Sequence, residues 1–316
     1  MQITSVNQAS LIAHALPLNE IAVPAWRTMS IDRYAQLVET MGGTVLKQGQ
    51  VWFNQGHRFF YRPLLPHRKY DLYKARKQNN KFGLFQHGVQ DDQPHNCYLN
   101  LIIFDRLNSY EANTLSGGAL RNLKEGMKNG VVVRRICDPE DFASKGHPVY
   151  MSACRRNQYG ANTRWGAQRR DPKGFAKWTH TIFKFPETIV LGAYARGELL
   201  SFEISWMVED TLVLSTIVHS DNGIALRTPD LMLHAWRITV RDQPGVNFIL
   251  DSLMGSTGVD EFKLRRGGRA LALRAYVNID RAVLCLIRHI WPRAYSRIAG
   301  RAPDEVLPNS RRVEPA

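Results

Sequence analysis

Apolar residues recur with two different periods along the chain, and these periods divide its first part into short helices and strands. After Ser30, the segment IDRYAQLVETM keeps Ile31, Tyr34, Leu37 and Val38 on one helical face and stops at a glycine pair. Four runs of strand-like composition follow, namely TVLKQGQVWF as a hairpin, RFFYRP, FGLFQHG and YLNLIIF. The pattern therefore predicts a helix that leads into a small sheet.

The remainder of the chain shows a similar plan. LSGGALRNLKEGMKNG predicts a helix, VVVRRI a strand, and Asp138 the cap of a short helix at PEDFA. Three strand-like runs come next, followed by a helix with Thr228 as its N-cap and Pro229 in its first turn, and VNFIL and ALALRAYVNI add two strands. We predict a mixed α/β (α+β) fold with an N-terminal extension (1–24), a first domain (25–135), a second domain (136–280) and a basic helix with a disordered tail (281–316).

The charge balance narrows the class of partner. The chain has 42 Lys and Arg against 28 Asp and Glu, a formal net charge of +14, with 44% hydrophobic and 22% charged residues. That composition is typical of a folded globular protein. The positive excess favours partners rich in phosphate or carboxylate, and nucleic acid, a nucleotide and an anionic membrane surface all fit it.

Cysteine usage and hydropathy indicate a cellular setting. The four cysteines, Cys97, Cys137, Cys154 and Cys285, form no Cys-x-x-Cys pair and have no histidine at zinc spacing, so no metal site is expected. The first thirty residues lack the pattern of a secretory signal, and no run approaches the roughly 18 apolar residues of a spanning helix. We expect a cytoplasmic protein.

One short segment between two predicted strands suggests a family. In GVDEFKLRRGG, the residues Gly258, Phe262, Lys263 and Gly267 resemble the Gly-x-x-x-Phe-Lys-x-x-x-Gly signature of FemAB-like transferases. The plan of the second half, with the hairpin LGAYARGELLSFEISW, resembles the acetyltransferase-like fold of the GNAT superfamily. The resemblance covers residues 25–280.

This resemblance implies two GNAT-like domains in tandem, each a mixed, largely antiparallel sheet flanked by helices. It also implies transfer of an acyl or aminoacyl group from an activated carrier to an amine, with no tightly bound cofactor. Acyl-CoA or aminoacyl-tRNA would be the donor co-substrate, and acyl carrier protein is a further candidate. In SDNGIA, however, Ser220 occupies the position of the basic or amide residue of the acyl-CoA loop, although Gly223 and Ala225 fit. This departure weakens the case for coenzyme A.

Two candidate catalytic residues follow from the resemblance. Lys263 would stabilise the oxyanion of the tetrahedral intermediate, and Asp251, after the strand VNFIL, would orient or deprotonate the amine. Each has a structural alternative: Lys263 as a solvated residue of a short helix, and Asp251 as the N-cap of the following loop. The expected reaction is direct attack by the amine, without a metal or a covalent enzyme intermediate.

Other residues are candidates for binding. Backbone amides of the loop before the helix at Thr228 would hold the donor's phosphate, with assistance from Arg227, unless the loop is an ordinary connection. Strand residues Glu203 and Tyr276 would face either a substrate cleft or the solvent, and His219 would act as a base or as a structural histidine. Phe262 is expected to turn its ring toward the core beside the substrate. The donor-binding set is Gly223, Ala225, Arg227 and Thr228; the substrate-binding set is Glu203, His219, Tyr276 and Phe262.

Two basic stretches are candidate partner surfaces. Residues 155–178 interleave seven basic residues with Tyr159, Trp165 and Trp178, and residues 67–81 form the second stretch. Such a pattern suits a tRNA or a nucleotide-bearing ligand, while the alternative is a solvated face whose aromatic rings pack inward. It also supports a different function, that of a non-catalytic RNA- or nucleotide-binding protein on a GNAT-like scaffold.

The C-terminal segment 281–301 alternates apolar residues with arginines behind Asp280, which is a predicted helix cap. It would either contact an anionic membrane surface peripherally or pack its apolar stripe onto the second domain. Packing is the interpretation that we favour.

Overall fold

The computed structural model describes residues 27–57, 59–72, 83–157, 169–241, 243–254 and 257–302. The chain divides into two compact units, and each unit is made of segments that are not contiguous in sequence. The first unit contains residues 1–29, 104–249 and 265–267, and the second contains residues 30–103, 250–264 and 268–316. The predicted extension (1–24) and most of the predicted tail lie outside the described residues.

The second unit begins with helix α1 (Ile31–Thr40), whose N-cap Ser30 accepts a hydrogen bond from Arg33 N as predicted. Its strands are β1 (Val45–Gln48), β2 (Val51–His57), β3 (Phe60–Pro63), β4 (Lys69–Tyr70), β5 (Leu84–Val89), β6 (Cys97–Phe104) and β12 (Arg269–Val277). The hydrogen-bonded order is β1-β2-β3-β5-β12-β6, with β4 beside β5. Among the strand pairs described in this unit, β3 and β4 each pair with β5 in parallel, and the other pairs are antiparallel.

The strands of this unit fold around aromatic side chains. Phe53, Tyr61 and Phe85 lie in one buried cluster with Val51, and the rings of Tyr61 and Phe85 stack at a centroid distance of 4.6 Å. Helices α7 (Thr257–Leu264), α8 (Arg281–Ile290) and α9 (Pro292–Ala299) belong to the same unit. The segment predicted as one basic helix is thus two helices, because Pro292 has no N–H to continue the first.

The first unit contains an antiparallel sheet in the order β7-β8-β9-β10, formed by Val132–Arg135, Thr188–Ala195, Glu198–Val208 and Thr211–His219. Its helices are α2 (Gly117–Lys128), α3 (Pro139–Asn157), α4 (Pro172–Phe183), α5 (Asp221–Ala225) and α6 (Thr228–Arg241). Strand β11 (Phe248–Leu253) starts in this unit and ends in the other. The core between helix and sheet is aromatic, and Phe142 of α3 meets Phe202 of β9 edge to face at 4.9 Å.

The predicted fold class is confirmed, since the chain is mixed α/β with mostly antiparallel strands and flanking helices. Two local predictions were wrong in extent. The helix expected at PEDFA runs on to Asn157, and Thr228, predicted as an N-cap, is the first residue of α6. The two units do not begin or end at residues 135 and 280, where the sequence predicted domain boundaries. The units reflect packing alone, so the two tandem domains stay a prediction. Among the described residues, no helix is both long enough and apolar enough to cross a membrane.

Candidate active site

The two residues predicted to be catalytic contact each other. Asp251 lies within strand β11, and Lys263 lies in the last turn of α7, where its Nζ is 2.9 Å from Asp251 Oδ1. The side chain of Lys263 is 9% exposed and that of Asp251 is 4% exposed. Neither structural alternative describes them, because Lys263 is not a solvated helix residue and Asp251 is inside a strand rather than at a helix N-cap.

The electrostatics of this pair are set by burial and by the neighbouring charges. Burial raises the pKa of Asp251, the Lys263 ammonium lowers it, and the carboxylate of Asp260 raises it again. The ammonium has three N–H donors, and the Asp251 carboxylate accepts from one of them. The arrangement therefore places a cation and a proton acceptor side by side in a site of low water content.

A glycine pair, Gly267 and Gly268, follows the end of α7. Gly268 N–H donates to Lys263 O at 3.0 Å, and Gly267 has a φ of +84°, which favours glycine. A Cβ on Gly268 would lie 2.9 Å from Ile102 Cγ2. The other signature glycine, Gly258, has open space where a Cβ would stand, so packing does not explain why it is glycine.

The predicted donor loop is a short helix rather than an open loop. Ser220 caps α5, and its Oγ accepts from Gly223 N–H at 3.0 Å, while its carbonyl accepts from Ile224 N–H at 3.0 Å. A Cβ on Gly223 would lie 2.7 Å from both Leu200 O and Ser201 Oγ. Two amides expected to hold a phosphate are thus bonded within the protein, and the serine in the basic position has a capping role.

The rest of the donor-binding set is divided between surface and interior. Ala225 is exposed, and Arg227, at a φ of +64°, pairs its Nε with Glu125 Oε2 at 3.1 Å. Thr228 is fully buried, and its hydroxyl forms a hydrogen bond with Ser201 Oγ. Their role in donor binding stays a prediction.

Glu203 of β9 is one of the buried carboxylates of the first unit. It is 2% exposed and accepts a hydrogen bond from Trp236 Nε1 of α6 at 2.7 Å. The predicted solvent-facing alternative is therefore wrong, since helix α6 covers this face of the sheet. The strand register pairs His219 with Ser201, two residues from Glu203, which places all three on the same face.

His219 ends β10, where burial and, to a smaller extent, the Arg156 guanidinium lower the pKa of its imidazole to about 4. Its Nδ1 is buried and has no hydrogen-bond partner among the described residues, while its carbonyl accepts from Arg156 Nη2 at 2.8 Å. The imidazole is neutral near pH 7, but its low pKa makes it a poorer base than an ordinary histidine.

The remaining substrate-binding candidates lie in the second unit. Tyr276 pairs with His87 across β12 and β5, with ring centroids 6.4 Å apart, and is partly buried. Phe262 is also partly buried, so its ring is not fully within the core as predicted. Among the described residues, no group of three or more His, Cys, Asp or Glu side chains has a geometry that suits a metal ion.

Comparison with solved structures gives the wider context. FemX aligns with a TM-score of 0.55 and 10% identity over 92% of this chain and 99% of that one. The C-terminal DUF2156 domain of a protein assigned as a lysylphosphatidylglycerol synthetase from Agrobacterium fabrum aligns with a TM-score of 0.53 and 12% identity over 93% and 99%. This chain has the FemX-like fold. No protein-family model and no curated protein matches the sequence.

The FemX-like fold confirms the resemblance stated from residues 258–267 at the level of architecture. The alignments cover nearly the whole length of this chain and of both solved structures. The likeness is therefore not confined to the second half of the chain. At this identity the comparison shows the fold alone. The roles of individual residues have to be argued from their geometry.

Sequence reasoning missed a second polar cluster of this FemX-like fold, in the first unit. Asp230 and Arg266 form a buried ion pair, with Arg266 Nε 2.8 Å from Asp230 Oδ1. Burial raises the pKa of Asp230, against the opposing effect of Arg266. His234 and Arg237 lie beside them on α6. The spacing of Asp230, His234 and Arg237 on an apolar helix was the available signal, because such residues share one face.

The predicted nucleic-acid surface is described only in part. Residues 158–168 and 73–82, including Tyr159 and Trp165, lie outside the described residues. Trp178 is 7% exposed and packs its ring against Phe175 at a centroid distance of 5.3 Å, with the Arg169 guanidinium 4.2 Å above it. The inward-packing alternative therefore describes this one aromatic residue.

Proposed function

We propose that the protein transfers an acyl or aminoacyl group from an activated carrier to an amine. The observation that supports this most is the buried contact of Asp251 with Lys263, the lysine of the signature segment, in a chain with a FemX-like fold. The lysylphosphatidylglycerol synthetase neighbour is named for a product that joins an amino acid to a lipid. The proposal extends that class of reaction to this chain.

In the proposed mechanism, the acceptor amine attacks the carbonyl carbon of the donor directly. The new N–C bond forms as the carbonyl oxygen becomes an oxyanion, and the Lys263 ammonium donates a hydrogen bond to it. Asp251 takes the proton that the amine loses, directly or through a water molecule, and the raised pKa of its buried carboxyl suits this step. Collapse of the intermediate breaks the bond to the carrier, whose oxygen or sulfur receives the proton.

The carrier is proposed to be aminoacyl-tRNA, with acyl carrier protein and acyl-CoA as the other candidates. All three carry phosphate or carboxylate groups that match the formal charge of +14. The internal bonds of Gly223 and Ile224 N–H disfavour a pyrophosphate held by that loop in the manner of acyl-CoA. A cytoplasmic setting would supply each of these carriers.

Helix α8 supports a further proposal about location, namely peripheral contact with an anionic membrane. Leu284 of this helix is buried. Val283, Leu286, Ile290 and Trp291 are nevertheless 46%, 57%, 56% and 66% exposed, and Arg281 and Arg288 are exposed on the same helix. Apolar side chains beside arginines match the acyl boundary and headgroups of an anionic bilayer.

The test of the transfer function starts with the donor. The purified protein is incubated separately with aminoacyl-tRNA and acyl-CoA pools plus candidate amines, and native mass spectrometry detects a bound or transferred group. Once a substrate is found, Lys263→Ala is expected to lower turnover by about 10²-fold or more. Arg265→Ala, which removes an exposed cation next to the same helix, is the matched control.

The proposal fails if a correctly folded Lys263→Ala variant turns over as fast as the parent protein. It also fails if none of the pools gives transfer. RNA binding that falls steeply with salt in a protein without transfer activity would instead support the non-catalytic RNA-binding function. Circular dichroism and a thermal melt of each variant separate lost chemistry from lost structure.

A further inference from the structure

Helix α2 of the first unit turns one face toward the protein and the opposite face toward solvent. The inner face contains the buried residues Ala119, Leu123 and Gly126, which recur at helical spacing. A Cβ on Gly126 would lie 2.5 Å from Leu231 Cδ1, so α2 packs closely against α6 at this point. This packing fixes which side of α2 points outward.

The outer face of α2 carries three cations in one line. Arg121, Lys124 and Lys128 are exposed, and at 3.6 residues per turn they lie within about 60° of one another, opposite the buried residues. At a rise of about 1.5 Å per residue, this line is about 10 Å long. Within Gly117–Lys128, all of which the structure describes, the other exposed residues are two glycines and Glu125. The outer face therefore has no exposed apolar side chain.

The one acid of α2 is paired with a further arginine. Glu125 Oε2 accepts a hydrogen bond from Arg227 Nε at 3.1 Å, and both side chains reach solvent. Arg227 is one of the predicted donor-binding residues. Four cations, the three of the outer face and Arg227, thus stand against the single charge of Glu125, which leaves a net charge of +3.

This charge pattern does not serve the stability of the helix. Arg121 and Lys124 are three residues apart, and Lys124 and Lys128 are four apart, so like charges are neighbours on the helix surface. Like charges at these spacings repel each other and weaken a helix. An anionic partner would relieve the repulsion.

Helix α4 provides a comparison, because its outer face is also cationic. It carries three exposed lysines, Lys173, Lys177 and Lys184. Asp171 caps this helix, however, and Glu140 Oε1 lies 3.3 Å from Nε2 of its His180. Two carboxylates thus border the lysines of α4, whereas the cations of α2 have only Glu125 beside them on their helix. The α2 face is the better match for a polyanion.

We propose that the outer face of α2 binds the phosphate backbone of an RNA. One strand of a nucleic-acid duplex places about one phosphate per 3.4 Å of axis, so about three phosphates match the length of the cationic line. Lysine and arginine contacts to phosphate position a nucleic acid without reading its bases. A membrane or a protein partner would call for exposed apolar side chains, which this face lacks. The inference rests on the proposed function for the identity of this RNA, namely the tRNA of the aminoacyl carrier.

Binding of deacylated tRNA to the full chain tests the proposal, because this probe requires no transfer chemistry. Fluorescence anisotropy gives the Kd over a series of potassium chloride concentrations. The triple variant Arg121→Gln, Lys124→Gln, Lys128→Gln keeps good helix-forming residues and removes the three charges. It is expected to weaken binding at least tenfold at low salt. The slope of log K against log salt should fall by about 2 to 3, since each phosphate contact contributes about 0.7 to 0.9.

Two further variants separate a local effect from one of overall charge. Lys173→Gln, Lys177→Gln, Lys184→Gln removes the same charge from α4 and is expected to change the Kd by no more than about twofold, because salt screens distant charges beyond about 10 Å. Glu125→Gln removes the one negative charge of the α2 face and is expected to tighten tRNA binding several-fold. A thermal melt checks that each variant is folded.

The proposal is overturned if tRNA does not bind, if the folded α2 variant binds it as tightly as the parent protein, or if the α2 and α4 variants lose affinity equally. If the α2 variant does not fold, the absence of any gain in Glu125→Gln overturns it instead. Tighter binding of polyglutamate than of tRNA would assign the face to an acidic protein and reject RNA. Binding of tRNA that depends on α2 in a protein without transfer activity would reject the proposed reaction and leave this surface in place.

Discussion

The ammonium of Lys263 lies 2.9 Å from the carboxylate of Asp251, and both groups are nearly inaccessible to solvent. A buried ion pair contributes little net stability, because each charge has lost its hydration, but an unpaired member of such a pair is costly. The pair therefore makes α7 and β11 depend on each other energetically.

Lys263→Met is expected to destabilise the protein by about 3–5 kcal/mol at pH 7, because it leaves the Asp251 carboxylate buried without its cation. Urea unfolding measures this loss. The deficit should shrink toward pH 4, since the raised pKa of Asp251 allows the folded state to bind a proton before the unfolded state does. The contribution of protonated Asp251 to the stability of this variant is thus present at low pH and is lost as the pH rises.

The double variant Lys263→Met with Asp251→Leu removes both charges and should recover most of the lost stability. Arg265→Met is the surface control, expected to change the free energy of unfolding by no more than about 0.5 kcal/mol. Equal stabilities for Lys263→Met and Arg265→Met would contradict the ion pair.

Two buried histidines are expected to make stability fall in acid. Burial lowers the pKa of His234 to about 3 and that of His219 to about 4 in the folded protein, from the ordinary histidine value of 6.5. At pH values between each of these folded-state pKa values and 6.5, the unfolded state binds more protons than the folded state. The free energy of unfolding therefore rises with pH in this window, and stability is lost as the pH falls below 6.5.

Each histidine contributes a slope of up to about 1.4 kcal/mol per pH unit in this window. Guanidinium unfolding at several pH values should show a smaller slope for His234→Gln than for the parent protein. The exposed His289→Gln serves as the control. An unchanged slope in His234→Gln would mean that this histidine is not held neutral by burial.

Two glycines should respond in opposite ways to alanine. Gly223→Ala would press a methyl group against Leu200 O and Ser201 Oγ and is expected to cost about 1–3 kcal/mol. Gly258→Ala adds a methyl group in open space within α7 and should be neutral or stabilising by up to about 1 kcal/mol. Thermal melts compare the two. A loss of transfer activity in a stable Gly258→Ala variant would assign Gly258 a role in substrate approach.

Helix α8 should mediate membrane contact through its exposed apolar side chains. Leu286→Asp and Trp291→Asp are expected to reduce co-sedimentation with vesicles that contain anionic lipid by several-fold, because each places a carboxylate at the bilayer surface. Cys285→Ser, a polar change at an exposed position of the same helix, is the control. Equal binding of all variants, or equal binding to neutral vesicles, would contradict the contact.

Local signals in the sequence predicted much of the secondary structure. Ser30 and Asp280 cap helices as expected, and the hairpin of β1 and β2 follows the alternation of its residues. The sequence predicted too short a helix α3, because Gly146 and Pro148 interrupt the helical pattern of its residues. Tertiary packing favours glycine at one of these positions, since a Cβ on Gly146 would lie 3.2 Å from Phe175 Cζ of α4.

The candidate site was predictable only where a motif indicated it. The resemblance at residues 258–267 singled out Lys263, and the position of Asp251 after an apolar run singled out its partner, although no pattern indicated that they touch. Arg237 was missed because its environment comes from Tyr110 and Arg266, which are distant in sequence. Contacts between distant residues leave no local periodicity.

Strand β12 has a consequence for the order of events during synthesis. It lies between β5 and β6, and Leu273 pairs with Leu99, so the middle of that sheet comes from the far end of the chain. A ribosome that has released residues 30–103 has produced both flanking strands with unpaired edges. Those edges stay open until residue 277 emerges, so the nascent chain needs protection from aggregation over most of its translation.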